Sequence, residues 1–285
     1  MRFFTKLRIL VLSLLIIITV PVAGYSFDIS NPLFHSGITV RGHSGLLFTK
    51  AGTSIAAGTY FVGLSPDYFD RDLPGGQSEK RLTVPLNITY GFPHNIEFAG
   101  NIGFVDRNNS TSESGFSDLE LSVKWSFLQE EGMGFPSMAA GIAGRFALGD
   151  EKKGLTEIDD YGIEFFLSGT ALIDLGPGRD YAFALYGEAG AVLNDWGQDF
   201  EEKHGKYSAG VLLPFPSSSD LAFILEFGGT INKGFGSNKD FIRLTPAVRL
   251  NYERASFTFG VSMVSPEASG EDSYLNYTLS AAMGF

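Results

Sequence analysis

The 285-residue chain has no cysteine, so a disulfide framework and a lipid-modified cysteine anchor are both excluded. It is short of positive charge: 21 Lys and Arg stand against 32 Asp and Glu, a formal net charge of −11. A nucleic-acid partner requires a basic surface and is therefore not expected. Beyond Val22 no apolar run approaches the ~20 residues that a membrane-spanning helix needs. Yet 44% of the residues are hydrophobic, 14% are aromatic and 35 are glycine. That composition suits neither a disordered chain nor a helical membrane protein.

The N-terminus carries Arg2, Lys6 and Arg8, then the apolar run Ile9 to Val22, then the small residues Ala23 and Gly24. This order of charge, apolar core and small residues marks residues 1–24 as a secretory signal peptide, with Ser26 as an alternative cleavage point. Its removal leaves 18 basic against 32 acidic residues, a formal charge of −14.

Downstream of Ala57 the apolar residues recur at every second position. Leu275, Tyr277, Leu279, Ala281, Met283 and Phe285 alternate with Asn276, Thr278, Ser280, Ala282 and Gly284, which gives one greasy face and one small, polar face. Phe257 to Met263 and Ile242 to Tyr252 repeat the pattern. Further strands fall at roughly 221–231, 205–213, 181–194, 161–174, 137–148, 117–128, 95–105, 81–91 and 55–65, about twelve in all. The connections alternate in length. Short ones lie at Phe92–Asn95, Gln129–Pro136, Gly176–Asp180, Pro214–Asp220 and Glu253–Arg254, and longer polar ones at about 66–80, 106–116, 149–160, 195–204, 232–240 and 265–273. Pro85 and Pro246 fall inside strands, where each removes a ladder donor and predicts a bulge or kink.

Short turns on one side and long loops on the other are the habit of an antiparallel up-and-down transmembrane β-barrel. A soluble barrel also alternates, but its outer face would then be residues such as Asn276, Thr278, Ser280, Ala282 and Gly284, which are too poor in Lys and Glu for a soluble surface. Aromatics at strand ends, among them Tyr90, Phe104, Trp125, Tyr161 and Tyr252, fit an interfacial girdle. The chain is therefore expected in the outer membrane of a Gram-negative cell, among lipid and lipopolysaccharide, with residues 55–285 forming the barrel. Closure demands that the last strand pair with the first, since an open edge in lipid leaves backbone groups unpaired. Residues 25–54 read as an irregular leader, either a lumen plug or a disordered tail.

The ending Tyr277-Thr278-Leu279-Ser280-Ala281-Ala282-Met283-Gly284-Phe285 resembles the terminal-strand signal of outer-membrane proteins. That resemblance implies recognition of Tyr277 and Phe285 by the barrel-assembly machinery. Gly115-Phe116-Ser117-Asp118-Leu119, Lys124-Trp125, Phe135-Pro136, Ala139-Ala140, Gly149-Asp150 and Asp160-Tyr161-Gly162 resemble the phenol-degradation meta-pathway family of outer-membrane proteins. Ala147-Leu148 stands where such sequences often have Pro-Thr. The resemblance implies a porin-like or transporter role for small hydrophobic or aromatic solutes.

With the apolar faces toward lipid, Glu97, Glu120, Lys124, Arg145, Glu164, Glu188, Glu226, Arg243 and Arg249 fall in the lumen. They form either a salt-bridge network that stiffens the barrel or a constriction that filters solutes by charge. In the second case Arg243 and Arg249 face the acids on other strands across a transverse field. The alternatives to a channel are an outer-membrane lipase or protease and a purely structural barrel. An enzyme is not expected: none of His35, His43, His94 and His204 sits mid-strand beside a lipid-facing serine, as a serine mechanism in the membrane wall would need. The acids Asp67, Asp70 and Asp72, and Asp150, Glu151, Glu157, Asp159 and Asp160, read as solvated loop charges bridged by divalent ions to lipopolysaccharide. No cofactor and no dedicated metal site are expected.

Overall fold

A computed structural model of the protein describes residues 37–73, 77–109, 111–129, 136–150, 153, 155–156, 158, 161–174, 182–194, 202–215, 220–231, 240–266 and 272–285. The expected signal peptide and the first part of the expected leader lie outside these residues, as do the expected turn at Gly176–Asp180 and most of that at Gln129–Pro136. No described helix is long and apolar enough to cross a membrane.

Thirteen antiparallel segments form one closed sheet: β1 (Tyr60–Leu64), β2 (Asp67–Leu73), β3 (Gln77–Phe92), β4 (Ile96–Asn108), β5 (Ser112–Leu128), β6 (Ser137–Phe146), β7 (Tyr161–Asp174), β8 (Ala182–Asn194), β9 (Glu202–Pro214), β10 (Leu221–Ile231), β11 (Phe241–Tyr252), β12 (Ala255–Pro266) and β13 (Tyr274–Gly284). Both β1 and β2 pair with β3 on one side and β13 on the other, so they are halves of one strand and the barrel has twelve. The interruption is Ser65-Pro66, which faces the Val84-Pro85 stretch of β3. Neither proline has an N–H to give, so the ladder loses donors where the two meet, and Ser65 N to Pro85 O at 3.1 Å bridges the gap. Pro246 acts in the same way on β11, whose pairing with β12 skips Thr245 and Pro246 and resumes in register at Ala247↔Gly260.

Closure is direct. Phe61 pairs with Gly284 and Leu64 with Ala281, and Phe285 exchanges backbone hydrogen bonds with Tyr60 at 2.9 and 3.3 Å. The two rings stack at 5.0 Å over the seam. Hydrogen bonding round the whole girth leaves no edge for lipid to strip of partners.

The faces sort by polarity as the alternation requires. Val248 and Leu250 are 41% and 45% exposed, while Ala247 and Arg249, which alternate with them, are 3% and 1%. Tyr277, Leu279, Met283 and Phe285 likewise point out, and Thr278, Ser280 and Ala282 point in. An exposed belt of this size, closed on itself and apolar, is a lipid-facing surface.

Two expected loops are strands. The 66–80 segment is the β2–β3 hairpin, joined through 74–76 only, and 106–116 is the end of β4 and the start of β5. Asp67, Asp70 and Asp72 are therefore strand residues. The first strand also starts later than expected, at Tyr60, and residues 55–59 belong to the leader.

Candidate functional site in the barrel lumen

Residues 37–59 enter from the end that carries the short turns Pro93–Asn95 and Glu253-Arg254, the periplasmic end of such barrels. They fold against the inner wall. Internal turns hold the leader together through Thr39 N to His43 O, Val40 N to Leu47 O and Ala51 N to Ser44 O. Gly42 takes φ +96°, a left-handed conformation that side chains disfavour.

Its apolar residues Leu46, Leu47 and Ala51 pack on Ala184, Tyr186, Leu212, Ala222, Ile224 and Ala247, inward residues of β8 to β11. Full burial of two leucines contributes on the order of 3–6 kcal/mol. Glycines of the wall make the room. A Cβ on Gly210 would stand 2.5 Å from Leu46 Cδ1 and one on Gly260 2.6 Å from Leu47 Cδ2. On Gly91 it would strike the backbone oxygen of Ala56. Glycine in a strand here marks close approach of a second backbone.

Four wall carboxylates hold the leader's polar groups. Glu97 accepts from Ser44 N at 2.9 Å, Ser44 Oγ at 2.9 Å and Ile55 N at 3.1 Å, and pairs with Lys124 at 3.1 Å. Glu226 accepts from three consecutive amides, Leu47 at 3.1 Å, Phe48 at 3.1 Å and Thr49 at 2.8 Å. Such a run of N–H groups is a ready anion cradle. Glu188 takes Lys50 N and Lys50 Nζ, each at 2.9 Å. Glu164 takes Lys50 Nζ at 2.8 Å and Arg41 Nη1 at 3.0 Å, and also pairs with Lys206. Arg249 completes the set by donating to Gly45 O at 3.0 Å and Thr258 Oγ1 at 3.1 Å. Each of these buried charges has a partner, as burial demands. On Lys50, burial pulls the pKa down, but Glu164 and Glu188 outweigh it and the ammonium is held above its usual range.

All nine wall charges named from the sequence turn away from lipid. Eight are buried, and Arg243 is half-buried with its guanidinium 3.5 Å over the Phe48 ring. Among the described residues Arg243 and Arg249 make no ion pair with the wall acids, although Glu226 acts on both from a distance; Arg249 bonds to Gly45 and Arg243 lies over Phe48, both in the leader. Glu120 and Arg145 lie further along and meet Arg41 and Asp118 (3.4 Å for Arg41–Glu120, 3.3 Å for Arg145–Asp118). Sequence reasoning missed Arg41, His43, Ser44 and Lys50, which lie in a segment without period. It also missed Lys206, which sits on the same face of β9 as Ser208 and Gly210.

His43 forms a chain with Ser122 and Glu97: Ser122 Oγ to Nε2 is 2.7 Å and Nδ1 to Glu97 Oε1 is 2.8 Å. A nucleophile, a base and an orienting acid stand in that order in serine hydrolases. Here the chain is sealed. His43 is 0% and Ser122 3% exposed, so no carbonyl substrate reaches Oγ while the leader is seated. Among the described residues no group of three or more His, Asp or Glu is arranged to hold a metal.

Toward the loop side, above the leader, lies a chamber of about 320 Å³. Arg41, Arg81, Arg145 and Arg243 line it, with Asp67, Asp118 and Glu120, and Phe69, Phe241 and Tyr274 supply aromatic wall.

Solved structures share this architecture. The chain matches an outer-membrane channel from Pseudomonas putida F1 at 13% identity over 82% of this chain and 97% of that one, with a TM-score of 0.56. The chain has the fold of outer-membrane channel barrels. The porin NanC matches at 11% identity over 78% and 98%, with a TM-score of 0.50. No family model and no curated protein matches the sequence. This outer-membrane barrel therefore stands on its fold and on the chemistry of its lumen.

Proposed function

We propose that the protein is an outer-membrane channel or transporter for small solutes, closed at its periplasmic end by its own leader. The observation that carries this reading is the pairing of a chamber on the loop side with a seat for residues 37–59 below it. A purely structural barrel has no use for a chamber lined by four arginines and three aromatics above a plug. The aromatic wall favours solutes with a ring, in the direction of the sequence resemblance to the phenol-degradation family.

In this reading the nine wall charges serve two ends. Glu97, Lys124, Glu164, Glu188, Glu226 and Arg249 seat the leader, and Glu120, Arg145 and Arg243 border the solute path. Tyr277 and Phe285 act as the assembly signal, supported by their outward position on the strand that closes the barrel.

Removal of residues 37–54 is the test. Liposomes containing the shortened protein are expected to release a ring-bearing solute at least tenfold faster than those with the full chain, with unchanged heat-modifiable mobility showing an intact barrel. Equal release from both would overturn the proposal.

A further inference from the structure

We propose, resting on the channel reading above, that the chamber is a binding site for a small aromatic carboxylate, held by Arg81 and Arg243. Charge pairing singles out these two residues. Arg41 and Arg145 are committed to Glu120, Glu164 and Asp118. Among the described residues the side chains of Arg81 and Arg243 make neither a hydrogen bond nor an ion pair, although both line the chamber. Asp67 is the remaining acid of the wall. Its Oδ2 is taken by Asn276 at 2.9 Å and Thr278 at 2.7 Å. Once the paired groups are set aside, two arginines stand against one carboxylate, and the chamber holds one positive charge in excess.

The geometry of Arg243 favours an anion. Its guanidinium carbon lies 3.5 Å from the centroid of the Phe48 ring, a contact that uses a π face and leaves the N–H donors available. A guanidinium stacked in this way presents the planar fork that matches a carboxylate. The carboxylates of Glu226 and Asp67 act on this guanidinium from a distance, but neither makes an ion pair with it, so its N–H donors are left to water or to an anion.

The body of the ligand follows from the walls. Phe69 and Tyr274 pair at 5.3 Å between centroids, tilted by 46°, and offer a continuous aromatic surface. At about 320 Å³ the chamber lies at the small end of ligand pockets, room for a single-ring acid rather than an oligosaccharide. Glu120 Oε1 and Asn276 Oδ1 are buried without a hydrogen-bond partner, and both residues line the chamber. A wholly apolar solute would satisfy neither these oxygens nor the two arginines.

The experiment is calorimetric titration of the full-length refolded protein with benzoate, and with benzyl alcohol and benzylamine as neutral and cationic ligands of the same shape. Inorganic phosphate and acetate are added as anions without a ring. Benzoate is expected to bind at least tenfold more tightly than each of the other four. Arg81→Gln is expected to lower benzoate affinity about tenfold or more, the usual scale for a lost charged hydrogen bond. Arg81→Gln with Arg243→Gln is expected to abolish the preference over benzyl alcohol. Arg81→Gln leaves the Phe48 contact in place, so it reads the anion site without loosening the leader there.

Benzoate binding no tighter than benzyl alcohol, or a preference that survives the double substitution, overturns the site. Phosphate or acetate binding as tightly as benzoate refutes the aromatic part. Solute release from liposomes by the leader-deleted barrel is read separately. Release without benzoate selectivity sinks the anion site alone, whereas selective binding without any release sinks the channel reading and leaves a binding site.

Discussion

Replacing Glu226 by alanine removes the acceptor for three adjacent leader amides, at Leu47, Phe48 and Thr49, at one stroke. Glu226 is 2% exposed, so water does not stand ready to replace it. A hydrogen bond to a charged group contributes about 1.5–3 kcal/mol, and three of them sum to on the order of 4–9 kcal/mol if the leader keeps its place. Each 1.4 kcal/mol is about a factor of ten in an equilibrium, so even the low end shifts the balance of seated and released leader by about a thousandfold. Water entering the opened space returns part of this. An increase in open probability of at least tenfold is therefore expected in single-channel recordings across a planar bilayer. Glu226→Gln keeps one acceptor oxygen and is expected to fall between. A Glu226→Ala barrel that folds in normal yield and gates like the parent would refute the reasoning, since the three hydrogen bonds would then contribute nothing to closure.

Gly210→Val and Gly260→Leu push side chains into Leu46 and Leu47. Overpacking of this kind costs about 1–3 kcal/mol, and higher conductance is expected from an otherwise intact barrel, read in the same bilayers. Acid is expected to loosen the leader through His43. Burial pulls this imidazole below its ordinary 6.5, by more than its contact with Glu97 raises it, and Lys124 and Lys50 also face it and lower it. The seated leader keeps His43 neutral while a released one takes up a proton, so seating weakens as pH falls from about 6.5 toward the lowered value. Conductance should rise between pH 7.5 and 5.5, and a rise of equal size in His43→Gln would refute the assignment to this residue. Ester hydrolysis provides a separate check on the buried Ser122-His43-Glu97 chain. Ser122→Ala is expected to leave the background rate with p-nitrophenyl butyrate unchanged, and a loss of turnover would reveal a hydrolase.

The strands were legible because lipid outside and polar lumen inside impose a period of two on every residue that lies within the membrane. The rule ends where the hairpins leave it. In Asp67-Tyr68-Phe69-Asp70-Arg71-Asp72-Leu73 charged residues occupy both faces, which suits water on both sides and reads as a loop, yet it pairs with β3 from Asp67↔Thr83 to Leu73↔Gln77. The start of β5, Ser112-Glu113-Ser114-Gly115, misled for the same reason.

The leader was not legible because its backbone is satisfied by side chains of distant strands, Glu226 and Glu97 above all, and that leaves no local period. A hint lay in the wall itself. Tyr186, Leu212 and Ile224 are apolar on the face that alternation assigns to the lumen, and apolar residues turned inward need something to cover them. The leader also takes up the two arginines expected to face the acids across the lumen. Arg249 bonds to Gly45 and Arg243 stacks on Phe48, both residues of the leader.

The absence of cysteine allows the leader to be fastened in place without interference. Leu47→Cys removes the methyl that a Cβ at position 260 would meet, and Gly260→Cys supplies the partner thiol. Oxidation of this pair, followed by solute flux through liposomes before and after reduction, reads the gate itself. Flux is expected to be abolished while the bond holds and restored on reduction. Undiminished flux through a fully cross-linked barrel would show that solutes pass without movement of the leader, and the gating claim would fail.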